Sequence, residues 1–154
     1  MDIKFRKCTL DDFDFLFELK KQNFKKYVDN IWGWVDSEQL ERMRIDFSEH
    51  LDHKRIIIYN GIEIGVYAYH ITDNNDYFIN EINLLKEYQG NGIGTKILQD
   101  VLEKNKCDKI RTILQVFKDN PAINLYKRLG FIIYDETDTH YRMEVKINDK
   151  KGLE

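Results

Sequence analysis

Apolar and polar residues alternate at the start of the chain, and residues 3–8 (IKFRKC) read as a first strand. The period then lengthens. Phe13, Leu16, Phe17, Phe24 and Tyr27 recur at helical spacing, and Thr9 stands where it can cap that helix. The segment 32-WGW-34 breaks it. Asp36 or Ser37 can open a second helix carrying Leu40, Met43, Ile45 and Phe47. RIIIY (55–59) and IEIGVYAYHIT (62–72) flank Asn60-Gly61, a strong hairpin signal because both turn residues need positive φ. After a turn at 73–76, YFINEINLL (77–85) reads as a fourth strand. Ile93, Ile97, Leu98, Val101 and Leu102 predict a helix over 92–104, and KIRTILQVF (109–117) a fifth strand. Asn120-Pro121 opens a short helix that Gly130 stops. FIIYD (131–135) and HYRMEVKI (140–147) form a final β pair. The order β-α-α-β-β-β-α-β-α-β-β predicts one α/β domain over 1–150, built on a mixed sheet.

Bulk properties narrow the function. The net charge is -3 and the pI about 5.8, which argues against nonspecific nucleic-acid binding. No run approaches the roughly 18 apolar residues of a membrane span. MDIKFRKCTL lacks the apolar core of a signal peptide. Cys8 and Cys107 fit no zinc spacing, and cytoplasmic, reduced thiols are the simplest reading. His50, His53, His70 and His140 show no ligand spacing, so no metal site is expected. Leu153-Glu154 reads as a cloning scar.

The chemistry centres on 89-QGNGIGTK-96, where Gly90, Gly92 and Gly94 alternate just before a helix. A glycine-rich turn into a helix N-terminus aims several free N–H groups one way, and the helix dipole adds positive potential. Such a turn suits phosphate, or is only a tight strand-to-helix connection. The dinucleotide pattern G-x-G-x-x-G fails, because Thr95 and Ile97 stand where a third glycine is needed. The triphosphate loop fails too, because Lys96 comes one position late, after Thr95.

What remains is Q-x-x-G-x-G, which resembles the acetyl-coenzyme A pyrophosphate loop of the GNAT superfamily of N-acetyltransferases. The preceding 81-EINLLKEYQG-90 is similar to that family's fourth strand, and 119-DNPAINLYKRLGF-131 to its second signature. The resemblance covers essentially the whole chain. It implies a largely antiparallel, V-splayed sheet. It further implies that the backbone of Ile82, Asn83 and Leu84 meets the pantetheine arm. N–H groups of Gln89, Gly90, Asn91, Gly92, Ile93, Gly94 and Thr95 would hold the pyrophosphate. Gln89 stands where the family often has arginine, which leaves the phosphates more dependent on the backbone. The second block is one residue short, so either Asp119 or Asn120 takes the family's asparagine position. Asn120 is preferred because an amide both donates and accepts, and it can cap the helix as well.

The resemblance also implies roles in the reaction. Tyr126 matches the tyrosine facing the coenzyme sulfur and would protonate the thiolate, or is a core aromatic. Leu84 N–H is the natural oxyanion donor. Glu81 shares a strand face with Asn83 and would act as base, directly or through water, or is a structural carboxylate. Gln115 stands where some relatives carry a glutamate and cannot be a base. Tyr27, Trp32 and Trp34, among Asp29, Asp36 and Glu38, would wall an amine acceptor, or pack the helices onto the sheet. The reading is an acetyl-coenzyme A-dependent N-acetyltransferase using no metal. It acts on a small-molecule or peptide amine, by direct attack in a ternary complex, as a monomer or homodimer. The alternative is a noncatalytic coenzyme A-binding sensor.

Overall fold

The computed structural model describes residues 2–147; the Leu153-Glu154 tail lies outside them. In chain order the elements are β1 (Ile3–Lys7), α1 (Phe13–Ile31), α2 (Asp36–His50), β2 (Lys54–Tyr59), β3 (Ile62–Ile71) and β4 (Tyr77–Leu84). Then come α3 (Ile93–Asp108), β5 (Thr112–Phe117), α4 (Ala122–Arg128), β6 (Ile132–Glu136) and β7 (His140–Val145). Short 3-10 turns stand at Leu10–Asp12, Leu51–His53 and Lys86–Tyr88. The order is the expected one. The chain divides into two compact units. The first runs to Ala68 and includes Glu81–Ile93; the second holds Tyr69–Asn80 and the described residues from Gly94 on.

In the first unit the strands are ordered β1-β2-β3-β4. β1 and β2 are antiparallel, with Ile3 opposite Tyr59 and Lys7 opposite Arg55. β2 turns into β3 through Asn60 (φ 50°) and Gly61 (φ 84°), conformations that asparagine tolerates and glycine, lacking a Cβ, adopts freely. Leu16 and Leu19 of α1 and Met43 and Phe47 of α2 pack with Cys8, Ile56 and Val66 into one core cluster. On α2 the buried stripe is Gln39, Met43 and Phe47, while Ile45 is exposed. α2 starts at Asp36, one of the two openings expected, with Val35 at its N-cap position. β3 and β4 approach very closely: Leu85 N–H donates to the Ile64 carbonyl at 2.8 Å. A Cβ on Gly65 would lie 2.1 Å from the Asn83 carbonyl oxygen.

The entry to α1 is held by charge. The Asp12 carboxylate takes a two-pronged contact from the Arg6 guanidinium at 2.8 and 2.9 Å and accepts the Thr9 N–H at 2.8 Å. Arg6, opposed by the cost of burial and helped by the Thr9 N–H, pulls the Asp12 pKa down to about 2 from its ordinary 3.8. A depressed carboxylate stabilises the fold above its unfolded pKa and loses that contribution as pH falls through its folded one. Asp12→Asn should therefore cost about 2 kcal/mol at pH 7. The gap to wild type should narrow by pH 3, as urea denaturation at both pH values would show.

In the second unit the order is β4-β5-β7-β6. The start of β4 pairs in parallel with β5 over only Tyr77–Ile79 against Thr112–Leu114. β5 pairs antiparallel with β7 from Thr112↔Val145 to Phe117↔His140. The helix expected over 92–104 runs on to Asp108. Lys109 (φ 58°), not a glycine, makes the left-handed stop. Buried Asn105 then fixes the turn: its carbonyl accepts the Ile110 N–H at 2.8 Å and its Nδ2 donates to Thr112 Oγ1 at 2.8 Å. β5 consequently begins at Thr112, three residues later than the apolar pattern suggests.

Candidate functional site

In the first unit, β4 carries Glu81, Ile82, Asn83 and Leu84 toward the glycine turn. The strand end is tied down by amides. Asn23 Nδ2 of α1 donates to the Leu84 carbonyl at 3.0 Å, and Gln89 Nε2 donates to the same oxygen at 2.9 Å. Gln89 Nε2 also reaches Asn23 Oδ1 at 3.0 Å, and Lys86 N–H donates to Gln22 Oε1 at 3.1 Å. The Gln89 backbone N–H donates to the Lys86 carbonyl at 3.1 Å, so it serves the turn itself. Gly90 (φ 76°) and Gly92 (φ 83°) both take the left-handed conformation, on either side of exposed Asn91. Ile93, 1% exposed, anchors the first residue of α3 in the core.

Gly94, in the second unit, differs from these. Its φ lies outside the left-handed range, and a Cβ there would meet no heavy atom within 4 Å. Neither backbone conformation nor packing requires glycine at that position. Thr95 beside it is half-buried.

Glu81 and Asn83 share a face, as strand alternation predicts, and Asn83 Nδ2 donates to Glu81 Oε2 at 2.7 Å. The other carboxylate oxygen lies 3.7 Å from Lys54 Nζ, and that ammonium lies 3.0 Å from Asp46. The Lys54 side chain is only 8% exposed. Burial pushes its pKa down, but Glu81 and then Asp46 outweigh this and the net shift is upward. Lys54 therefore stays cationic, and Glu81 is held between an ammonium and an amide.

The aromatic segment after α1 is ordered by carboxylates. Trp34 donates its backbone N–H to Asp29 Oδ1 and its ring N–H to Asp36 Oδ1, each at 2.6 Å. Lys25 pairs with Asp29 at 2.6 Å and Lys21 with Asp36 at 3.0 Å. Trp34 and then Lys21 lower the Asp36 pKa; Lys25 and then the Trp34 N–H lower that of Asp29. Gly33 (φ 80°) makes the turn. Trp32 is 62% exposed, whereas Tyr27 is buried at 7%. A cavity of about 500 Å³ is walled by α1 residues between Phe15 and Asp29 and by Leu85 and Lys86.

In the second unit, Asn120 Oδ1 accepts the Ala122 N–H at 2.9 Å from just outside α4, whose N-cap position falls on Pro121 and not, as expected, on Asn120, because the helix starts one residue late at Ala122; Asp119 is exposed. Tyr126 on α4 packs edge-on against Phe131 at 5.8 Å. Burial pushes its phenol pKa up. Gln115 on β5 accepts from Arg142 Nε at 3.4 Å.

Thus the structure brings Glu81 and Asn83 together beside Lys54, Leu84 and Gln89 together with Asn23, and Trp34 together with Asp29 and Asp36. Three participants went unread in the sequence. Asn23 and Lys54 act across long separations with no local pattern. Gly65 did carry a signal, since a lone glycine inside a strand often marks a close backbone approach.

Residues 14–131 match the model of the acetyltransferase (GNAT) family. Among solved structures, the chain is similar to the PaiA N-acetyltransferase from Thermoplasma acidophilum in complex with coenzyme A. The TM-score is 0.73 at 20% identity, over 95% of this chain and 99% of that one. It is also similar to an N-acetyltransferase from Staphylococcus aureus Mu50, with TM-score 0.70 at 16% identity over 92% and 100% of the two chains. No curated protein sequence matches it. No helix among the described residues is long and apolar enough to cross a membrane. The match over 14–131 places the chain in the GNAT acetyltransferase family.

Proposed function

We propose that the protein is an acetyl-coenzyme A-dependent N-acetyltransferase acting on a primary amine by direct attack in a ternary complex. The observation that carries this is the 90–95 turn in a chain of this family. Two left-handed glycines present the backbone, and a third glycine answers to no demand of the fold. A phosphate lying against the turn would supply that demand, because a Cβ at Gly94 would stand where it approaches. Acetyl-coenzyme A brings an acetyl thioester. Gly90 to Thr95 N–H groups hold its pyrophosphate, without the Gln89 N–H and with no arginine needed. The backbone of Ile82, Asn83 and Leu84 orients the pantetheine arm, and Asn120 adds its Nδ2. Leu84 N–H donates to the acetyl oxygen as charge develops there. Glu81 takes the proton of the attacking amine, directly or through water, and Tyr126 gives one to the departing sulfur. Tyr27, Trp32 and Trp34 belong to the acceptor side, Tyr27 from the core beneath it.

A thiol-release assay over an amine panel tests the reading. Turnover on at least one amine is expected. Coenzyme A binding with no turnover would favour a noncatalytic sensor, and no thermal shift with coenzyme A would leave only a structural domain. Gly94→Ala sharpens the test. Stability should stay level or rise by up to about 1 kcal/mol, since alanine is the better helix former. Coenzyme A affinity should fall by about tenfold or more, a loss of roughly 1.4 kcal/mol. Unchanged affinity by calorimetry would remove the turn from the phosphate site.

A further inference from the structure

The cavity beside α1 is cationic in an anionic chain. Its wall holds Lys21, Lys25, Lys26 and Lys86 against Glu18 and Asp29, two positive charges in excess, whereas the whole chain carries -3. Lys21 and Lys25 are satisfied by Asp36 and Asp29. Lys26 and Lys86 have no carboxylate partner within ion-pair distance among the described residues, although Lys26 lies over the Tyr27 ring. Cations gathered on a concave surface attract an anionic group and hold it through charge-assisted hydrogen bonds. The volume, about 500 Å³, is that of a small-molecule site.

The cavity touches both halves of the acceptor machinery in the first unit. Asn23 and Leu85 line it, and Asn23 holds the Leu84 carbonyl at 3.0 Å. Asp29 lines it too and holds the Trp34 N–H, while Lys21 lines it and holds Asp36, the partner of the Trp34 ring. A ligand that competes for Lys21 or Asp29 would thus be felt at Trp34. We infer that the acceptor is a small amine that also carries a carboxylate, with the carboxylate seated at Lys26 and Lys86. This rests on the acetyltransferase reading and narrows it. It disfavours polyamines, whose charges the lysines would repel.

The test has a kinetic arm and a binding arm. In the first, an acidic amine such as glutamate is compared with glutamine and with spermidine at constant ionic strength, because surface electrostatics is screened by salt. The acid should be preferred over its amide by about tenfold in kcat/KM, and Lys26→Ala with Lys86→Ala should bring the ratio near one. Equal rates for acid and amide, or preference for spermidine, would overturn the inference. So would a fall in coenzyme A affinity in the double variant, which would assign the lysines to the phosphates of the cofactor. The binding arm needs no turnover. In Trp32→Phe, Trp34 is the sole tryptophan. Glutarate, a dicarboxylate without an amine, should change its fluorescence saturably, and equal ionic strength of sodium chloride should not. No response, or the same response after removal of both lysines, refutes the site even if the protein proves to be no enzyme.

Discussion

Gly65→Ala is expected to destabilise the protein by about 4 kcal/mol or more, at the extreme of single-substitution effects. The added Cβ would stand 2.1 Å from the Asn83 carbonyl oxygen, 3.1 Å from its carbon and 3.0 Å from Leu84 Cδ2. A leucine tip can rotate away, but a backbone carbonyl in a strand cannot. The neighbouring ladder bond from Leu85 N–H to Ile64 resists any shift. So do the two amides on the Leu84 carbonyl. Relief must come from parting β3 and β4, which would carry Leu84 N–H off its proposed position as well. Gly94→Ala is the matched control, because the same methyl group meets nothing there. Denaturant midpoints for the two variants measure the contrast. A wild-type midpoint for Gly65→Ala would mean that the two strands do not approach as described.

Tyr126→Phe should lower kcat by roughly a hundredfold, the low end of general acid–base contributions, while coenzyme A affinity stays nearly unchanged. The phenylalanine keeps the edge-on contact with Phe131, so the fold should tolerate it. At neutral pH the Tyr126 phenol carries its proton, and burial, which raises its pKa, keeps it there. A protonated phenol has a proton to offer the thiolate but cannot serve as the base for the amine. Full turnover in the variant would end the assignment. Glu81→Gln makes the complementary test. The glutamine fills the same space beside Asn83 but cannot accept a proton, so the rising limb of the pH–rate profile should flatten. An unaltered profile would place the base elsewhere and leave Glu81 as the counterion of Lys54.

Most of the local architecture was legible in the chain. The Asn60-Gly61 turn has the two positive φ values its residues invite, and Gly130 ends α4 at φ 105°. Element order followed from period together with the turn, cap and breaker residues. The failures were also local in cause. α3 overran its expected end because Lys109 takes a conformation usually left to glycine, while Asn105 and Thr112 supply a buried bond to hold it. The opening of α2 at Asp36 was legible, although Val35 takes the N-cap position.

The sequence by itself determined the periods, the turns and the motif spacing that marks the family, since each depends on residues within a few positions of one another. Only tertiary structure decided what Glu81 faces, what fixes the Leu84 carbonyl, why residue 65 must be glycine and where the lysines of α1 gather. Lys54 with Glu81, Asn23 with Leu84 and Gly65 with Asn83 are joined across long stretches of chain. Ion pairs, amide bonds and close approaches at such separations leave no periodic trace, because the fold sets the distance between their partners.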